Sequence, residues 1–355
     1  MRKHNFFAGP SIVSEFAKRE TAKGVLGLSN GLSIMEISHR SPEFTEIIED
    51  ATNVMRDLLS VPLDYHILWL HGGASLQFCM VPYNLLNTKA AYLETGSWAK
   101  KAAKEASLFG EVETVASSSD TNFNYIPKGY KIPEDADYFH ITTNNTIYGT
   151  EIMEDIDSPI PLIADMSSDI LSRPVDVSKY GLIFGGAQKN VGPAGVGFAI
   201  IREDILGKVE RQIPTLLDYS THIAKGSLYN TPPCLSIYAC LQNMMWLKQQ
   251  GGVEKIYLVN QEKATMLYEE IERNKLFQAT VPNEEDRSIM NITFIMTDEY
   301  KGKEIEFREF ARSKGMVGIK GHRSVGGFRA SIYNALPIES VKALVDTMKE
   351  FEAQI

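Results

Sequence analysis

The sequence predicts an α/β protein: a large domain on a mostly parallel, helix-covered sheet, followed by a smaller α/β domain at the C-terminal end. Three observations predict it. Short apolar runs at 65–70, 90–93, 112–115, 138–142, 160–164 and 180–184 read as strands, and helical segments alternate with them. Gly72, Thr146, Asp165 and Lys189 each fall just past one of these runs, where ligands gather on a parallel sheet. After a glycine pair at 251–252 the pattern restarts as strand, helix, strand, helix. A chain of 355 residues suits two domains. We place them at 15–252 and 253–355, with 1–14 an extended arm near the second.

Each element has a local reason. Residues 15–35 read as a loop. A first helix begins at Pro42, with Ser41 as N-cap and Glu43 set against the dipole. Phe44, Ile47, Ile48, Ala51, Val54, Met55, Leu58 and Leu59 form its apolar stripe. The strand at 65–70 runs into His71-Gly72-Gly73-Ala74-Ser75, and a helix is expected over 76–86. A strand, a glycine turn and a helix N-terminus together form an anion cup. Gly96-Ser97-Trp98 opens a helix through Ala106. Residues 207–233 read as irregular. Helices follow at 236–250 and 253–273, then a strand (289–296), a helix (303–314), a loop and strand (317–333) and a helix (338–352).

Composition narrows the function classes. Hydrophobic residues make up 44% and charged residues 23%, the balance of a soluble globular protein. The net charge of -9 disfavours general nucleic-acid binding, and an anionic ligand would need a local basic cluster. The absence of a ~20-residue apolar run argues against a membrane span. The N-terminus lacks the apolar core of a signal peptide. Cys79, Cys234 and Cys240 form no CxxC pair and have mostly apolar neighbours, so free thiols and a cytoplasmic location are expected.

Chemistry concentrates around Lys189. The run at 180–184 ends in Gly185-Gly186, Lys189 follows, and then come Gly192, Pro193, Gly195 and Gly197. A lysine at the mouth of a strand, among residues with almost no side chain, leaves room for a flat, bulky group. Lysine amines form Schiff bases with carbonyl compounds, and pyridoxal phosphate is the commonest cofactor held that way. The competing reading is a solvated lysine in a turn. Asp165, 24 residues earlier at the end of the preceding strand, suits the carboxylate that such a cofactor needs at its ring nitrogen; alone it reads sooner as an N-cap or turn residue, and the pairing with Lys189 favours the cofactor. Trp98 suits ring stacking or a core position, and Gln188 suits a phosphate donor or a surface amide. His39-Arg40, His322-Arg323 and Arg329 form a basic set in an acidic chain, and arginine's planar fork fits carboxylates and phosphates. Gly192, Gly195 and Gly197 feed a strand and not a helix, against a nucleotide fingerprint. His66 and His71 lack a third metal ligand.

The segments FAGPS, MEISHRSPEF, HGGASLQF, GSWA, ADMSSDILSRP, GGAQKNVGPAGVG, YNTPP and KGHRSVGGFRASIYN, with the C-terminal helix, run in order from residue 6 to residue 350. On them the chain resembles the phosphoserine aminotransferases, class V aminotransferases of the aspartate-aminotransferase fold type. The resemblance implies a fold-type I pyridoxal-phosphate-dependent transferase, cytoplasmic and homodimeric with shared active sites. Its substrates would be L-glutamate, 3-phosphohydroxypyruvate, O-phospho-L-serine and 2-oxoglutarate, in serine and also pyridoxine biosynthesis. It implies that Lys189 carries the cofactor, Asp165 pairs with the ring nitrogen, Trp98 stacks on the ring and Thr146 bonds near the ring hydroxyl. Ala74, Ser75 and Gln188 would hold the cofactor phosphate, with Asn230 and Thr231 reaching it from the partner subunit. Arg329 would take the substrate α-carboxylate. His39, Arg40, His322 and Arg323 would bind the distal anion, some of them across the dimer. One departure is visible: many members carry GGG-x-GQF where this chain has Gly72-Gly73-Ala74-Ser75-Leu76-Gln77-Phe78. Backbone donors survive the change to alanine if φ is negative. The alternatives are a serine–glyoxylate type of transaminase and a catalytically silent cofactor-binding protein. Cysteine desulfurases share the fold but need a nucleophilic cysteine on a flexible loop, which none of the three cysteines suits.

Overall fold

The computed structural model describes residues 3–355, so the first two residues of the expected arm lie outside the described residues. In chain order the elements are β1 (His4–Asn5), α1 (Glu15–Leu26), α2 (Pro42–Leu59), β2 (Tyr65–Leu70), α3 (Gly73–Leu85), β3 (Lys89–Glu94), α4 (Ser97–Ala106), β4 (Glu111–Ser117), β5 (Tyr138–Thr142), β6 (Leu162–Asp165), β7 (Leu182–Gly186) and β8 (Gly197–Arg202). Then come α5 (Tyr219–Ala224), α6 (Cys234–Gln249), α7 (Gly252–Arg273), β9 (Phe277–Ala279), β10 (Asn291–Met296), α8 (Glu304–Ser313), β11 (Met316–Val317), β12 (Phe328–Ser331) and α9 (Ile338–Glu352).

The main sheet has seven strands in the order β2-β8-β7-β6-β5-β3-β4. The pairings from β7 through β6, β5 and β3 to β4 are all parallel, and β8 alone runs antiparallel, between β2 and β7. Strand alternation sends side chains to opposite faces. Phe139 and Ile141 of β5 join Phe44, Ile48 and Met55 of α2 and Ile237 and Met244 of α6 on one face. Tyr138 of β5, Ile163 of β6 and Phe184 of β7 join Phe78 and Val81 of α3 and Ala102 of α4 on the other.

A separate apolar core surrounds the antiparallel sheet β12-β10-β9. Phe277, Phe307 and Phe328 meet there edge to face. The N-terminal arm is stitched to this core: β1 pairs in parallel with β11, and Phe6 is fully buried in it.

Three elements depart from the expected pattern. The segment read as a loop holds α1, capped by Ser14, whose hydroxyl accepts from Ala17 N at 3.1 Å. Its buried residues are Ala17 and Gly24. A Cβ on Gly24 would lie 2.4 Å from the Tyr238 ring of α6, so this helix packs through missing side chains and shows no apolar stripe. The expected irregular stretch 207–233 contains the six-residue α5, capped by Asp218. β9 is three residues long and gains its identity from pairing with β10. Between β6 and β7 the chain makes turns and one 3₁₀ turn (Val177–Lys179) in place of an α-helical crossover.

Candidate active site

A cavity of about 320 Å³ opens at the carboxyl ends of β5, β6 and β7. Lys189 lies three residues beyond β7, in a turn whose backbone is tied down. Ala187 N donates to Val196 O at 2.9 Å, and Gly192 N to Ala187 O at 2.7 Å. The neighbouring Asn190 is buried, donating to Ile170 O and accepting from Asn334 N. Lys189 Nζ donates to Thr146 Oγ1 at 2.9 Å. Burial draws the Lys189 ammonium down to about 8. Arg329 adds to the lowering, while the Asp165 and Asp169 carboxylates pull the other way. In the cofactor-free protein the neutral amine therefore takes over as pH rises through about 8, not through the 10.5 of a free lysine. Reductive methylation of Lys189, followed by mass spectrometry against pH, should show a midpoint near 8; one near 10 would contradict this environment.

Asp165 ends β6 and faces the same cavity. Ser167 N and Ser167 Oγ both donate to its Oδ1, at 2.9 and 2.5 Å, and neither bond uses Oδ2. Burial pushes its carboxyl up, opposed by these two bonds and by Lys189. Behind it, Thr143 Oγ1 donates to Asp169 Oδ1 at 2.6 Å. Asp169 is also raised by burial and steadied by Arg173.

The anion cup is the N-terminus of α3. The helix starts at Gly73, earlier than the sequence pattern suggested, so Ala74 and Ser75 belong to its first turn. Gly72 and Gly73 take φ of +77° and +59°, which a Cβ would strain, and Ala74 is not among the positive-φ residues. The replacement of glycine by Ala74 therefore leaves the backbone donors in place. Gly72 supplies no side-chain cap, leaving first-turn N–H groups and the positive dipole end for an anion. Ser75 and Gln188 line the cavity beside them. Trp98, second residue of α4, and Thr146 line it as well.

Arg329 comes from β12 of the second core. Its Nη1 donates to Thr146 O at 2.9 Å, and its buried Nε has no protein partner. His322 lines the cavity next to it. Burial lowers the His322 imidazole, and Arg329, Arg323 and Lys101 lower it further.

The structure thus brings Ala74, Ser75, Trp98, Thr146, Asp165, Gln188, Lys189, His322 and Arg329 into one cavity. His39, Arg40, Asn230, Thr231 and Arg323 do not line it in this chain. Arg40 and Arg323 are exposed. Asn230 Nδ2 donates to His71 Nε2 at 3.2 Å, one residue before the cup.

One expectation needs correction. Two of the glycines after Lys189, Gly192 and Gly197, do not hollow out the cavity. A Cβ on Gly192 would stand 2.7 Å from Cys240 Sγ, and one on Gly197 would stand 3.2 Å from Gly73 O. They let α6 and the cup pack close to the Lys189 turn. The sequence reading also missed a wall. Ala8 and Gly9 of the arm line the cavity, and Ser11 fastens the arm to the lysine turn, Ser11 Oγ to Lys189 O at 3.0 Å and Ser11 N to Gln188 O at 3.0 Å. Ser167, Asn144 and Thr142 were missed too. Only Ser167 had a local signal, since a residue two beyond an aspartate is placed to bond it.

The residues present suit pyridoxal phosphate: an amine of lowered basicity, a buried carboxylate, and an uncapped helix N-terminus with a hydroxyl beside it. A sequence profile of the family aminotransferase class-V matches residues 18–344. The phosphoserine aminotransferase of Azobacteroides pseudotrichonymphae is 63% identical over 353 residues, spanning 99% of this chain and 98% of its own. Among solved structures, phosphoserine aminotransferase from Bacillus circulans subsp. alkalophilus superposes with a TM-score of 0.95 at 42% identity, covering 99% of both chains. The PLP-bound phosphoserine aminotransferase of Trichomonas vaginalis superposes with a TM-score of 0.93 at 39% identity, covering 98% of this chain and 100% of its own. The architecture is that of a fold-type I pyridoxal-phosphate aminotransferase. The chain belongs to the class V aminotransferases and, among them, to the phosphoserine aminotransferase family.

Proposed function

We propose that the protein transfers an amino group reversibly between L-glutamate and 3-phosphohydroxypyruvate, giving 2-oxoglutarate and O-phospho-L-serine. The observation that carries this reading is a single cavity holding Lys189, Asp165, the α3 N-terminus and the cationic Arg329. Bound pyridoxal phosphate would supply an aldehyde carbon for the amino group and an electron sink for the charge left when the substrate Cα loses its proton.

The chain's own residues do the rest. Lys189 would hold the cofactor covalently through its amine in the resting protein. With an amino substrate bound, its neutral amine takes the proton from the substrate Cα, and its ammonium returns one when the other substrate is aminated. Asp165 would set a negative charge against the cofactor's ring nitrogen. Ala74, Ser75 and Gln188 would hold its phosphate, and Trp98 and Thr146 would position its ring beside Lys189. Arg329, which lines the cavity, binds the substrate α-carboxylate. His322 and Arg323, with His39 and Arg40, bind the distal carboxylate or phosphate.

We read the chain as two domains, 15–252 and 253–355, and the active form as a cytoplasmic homodimer. No described helix is long and apolar enough to cross a membrane. Support for a partner subunit comes from the 26–40 segment, where Leu26, Leu32 and Met35 are exposed next to His39 and Arg40, and from Asn230 and Thr231 lying off the cavity lining. In that dimer the two pairs would complete the neighbouring site.

The test is an assay of 2-oxoglutarate formed from L-glutamate with 3-phosphohydroxypyruvate, its one-carbon-longer phosphorylated hydroxy-oxo analogue, and glyoxylate as acceptors. Turnover with the first is expected to exceed that with glyoxylate by at least about 100-fold, the discrimination open to a site built for a polar group. Equal or better use of glyoxylate would replace this reading with the serine–glyoxylate type, and no turnover with any acceptor would favour a silent binding protein.

A further inference from the structure

We propose that Lys101 is a specificity-determining residue of this site: its ammonium, held over the Trp98 ring, adds a positive charge to the pocket that receives the distal phosphate dianion. The inference rests on the substrate reading above and extends it to a residue outside the cavity lining. Lys101 follows Trp98 by three positions, one turn along α4. Its Nζ stands 4.3 Å from the Trp98 ring centroid, a cation–π distance that restrains an otherwise mobile side chain. Glu105, one turn further on and the carboxylate best spaced to neutralise it, receives the Cys79 thiol at 3.7 Å.

The surrounding packing fixes the Trp98 ring beneath this ammonium next to the turn that carries His322. Trp98 and Val325 pack on one small cluster with Phe123, Ile147 and Tyr148. Ser97 Oγ and Tyr148 OH are 2.7 Å apart, and Asn122 Nδ2 donates to Ser324 O at 3.2 Å. The start of α4 and the 322–326 turn are therefore fastened to the same wall. The charges that face His322 come from three elements: Lys101 on α4, Arg323 in the turn and Arg329 on β12, and all three disfavour its protonation.

A phosphate monoester carries close to two negative charges at pH 7 and above, and the distal carboxylate of glutamate carries one. A neighbouring cation therefore favours the phosphorylated substrate. Lys101 is exposed, so the effect is screened and modest: about fivefold in affinity for the dianion and about twofold for the carboxylate.

The experiment compares the holoenzyme with its Lys101→Met and Lys101→Arg variants. In Lys101→Met, KM for O-phospho-L-serine should rise about fivefold and KM for L-glutamate about twofold, with the loss on KM and not on kcat. The Kd of O-phospho-L-serine, read from the visible absorption change, and the inhibition constant of inorganic phosphate should rise in parallel. Lys101→Arg should restore both, and added sodium chloride should shrink the gap between wild type and Lys101→Met. Equal rises for the two amino donors, or none, would overturn the role of Lys101 while leaving the substrate assignment intact. A wild-type enzyme that ignores O-phospho-L-serine would overturn both.

Discussion

Lys189→Ala is expected to lower turnover of L-glutamate with 3-phosphohydroxypyruvate by about 10⁴-fold or more. The residue has two functions in one cavity. Removing a positioned general acid–base group typically costs 10²- to 10⁴-fold, and loss of the covalent link to the cofactor adds to that. The change should leave the fold intact. The side chain donates one hydrogen bond, to Thr146, and the tight turn that presents it is held by backbone bonds and by Asn190. Measuring turnover alongside thermal unfolding separates the two effects. A correctly folded variant within about tenfold of wild type would remove Lys189 from the chemistry.

Asp165→Asn is expected to lower kcat by about 10²- to 10³-fold, the scale of losing one preorganised charge where charge develops. Asparagine has almost the same shape, and its Oδ1 can still accept from Ser167, so the substitution isolates the charge. Burial works against ionisation here, and Ser167 N, Ser167 Oγ and Lys189 oppose it. In the cofactor-free protein a carboxyl pKa above the usual value means that the charge is lost at a higher pH than for a free aspartate as the solution is acidified. Pyridoxal-phosphate binding to the cofactor-free protein should therefore weaken on the acid side for wild type and show no such limb from this group in Asp165→Asn. Steady-state kcat and the pH dependence of cofactor binding, measured for the two proteins, check both points. Retention of wild-type kcat by the asparagine variant would show that the ring nitrogen needs no anion at this position.

The parts of the site that were legible in the sequence share a physical feature: they depend on contacts short in sequence. Ser41 before Pro42 announced α2, and the Ser41 hydroxyl does accept from Phe44 N. The glycine turn after β2 announced an anion cup because helix N-termini leave N–H groups free wherever they occur. Asp165 and Lys189 were legible as a pair because neighbouring parallel strands end on the same edge. The α1 helix was not legible, since it buries alanine and glycine against Tyr238 and its sequence shows no stripe. The glycines around Lys189 were legible as a group but not in their purpose. Whether a missing Cβ makes room for a ligand or for Cys240 depends on what stands opposite.

By itself, the sequence determined the α/β class, the strand ends that carry the chemistry, the family, and the chemical types in the site: one amine, one carboxylate, an anion cup and a basic set. These follow from local periodicity, capping and turn chemistry, which the chain carries at every point along its length. Only the tertiary structure decided that the arm at Ala8 and Gly9 forms a wall against Lys189. It also decided that Arg329 crosses from the second core to bond Thr146, and that Lys101 stands over Trp98 beside the His322 turn. Those contacts join residues far apart in the chain, Arg329 and Thr146 being separated by 183 positions, and they form only when two apolar cores have packed and brought their edges together.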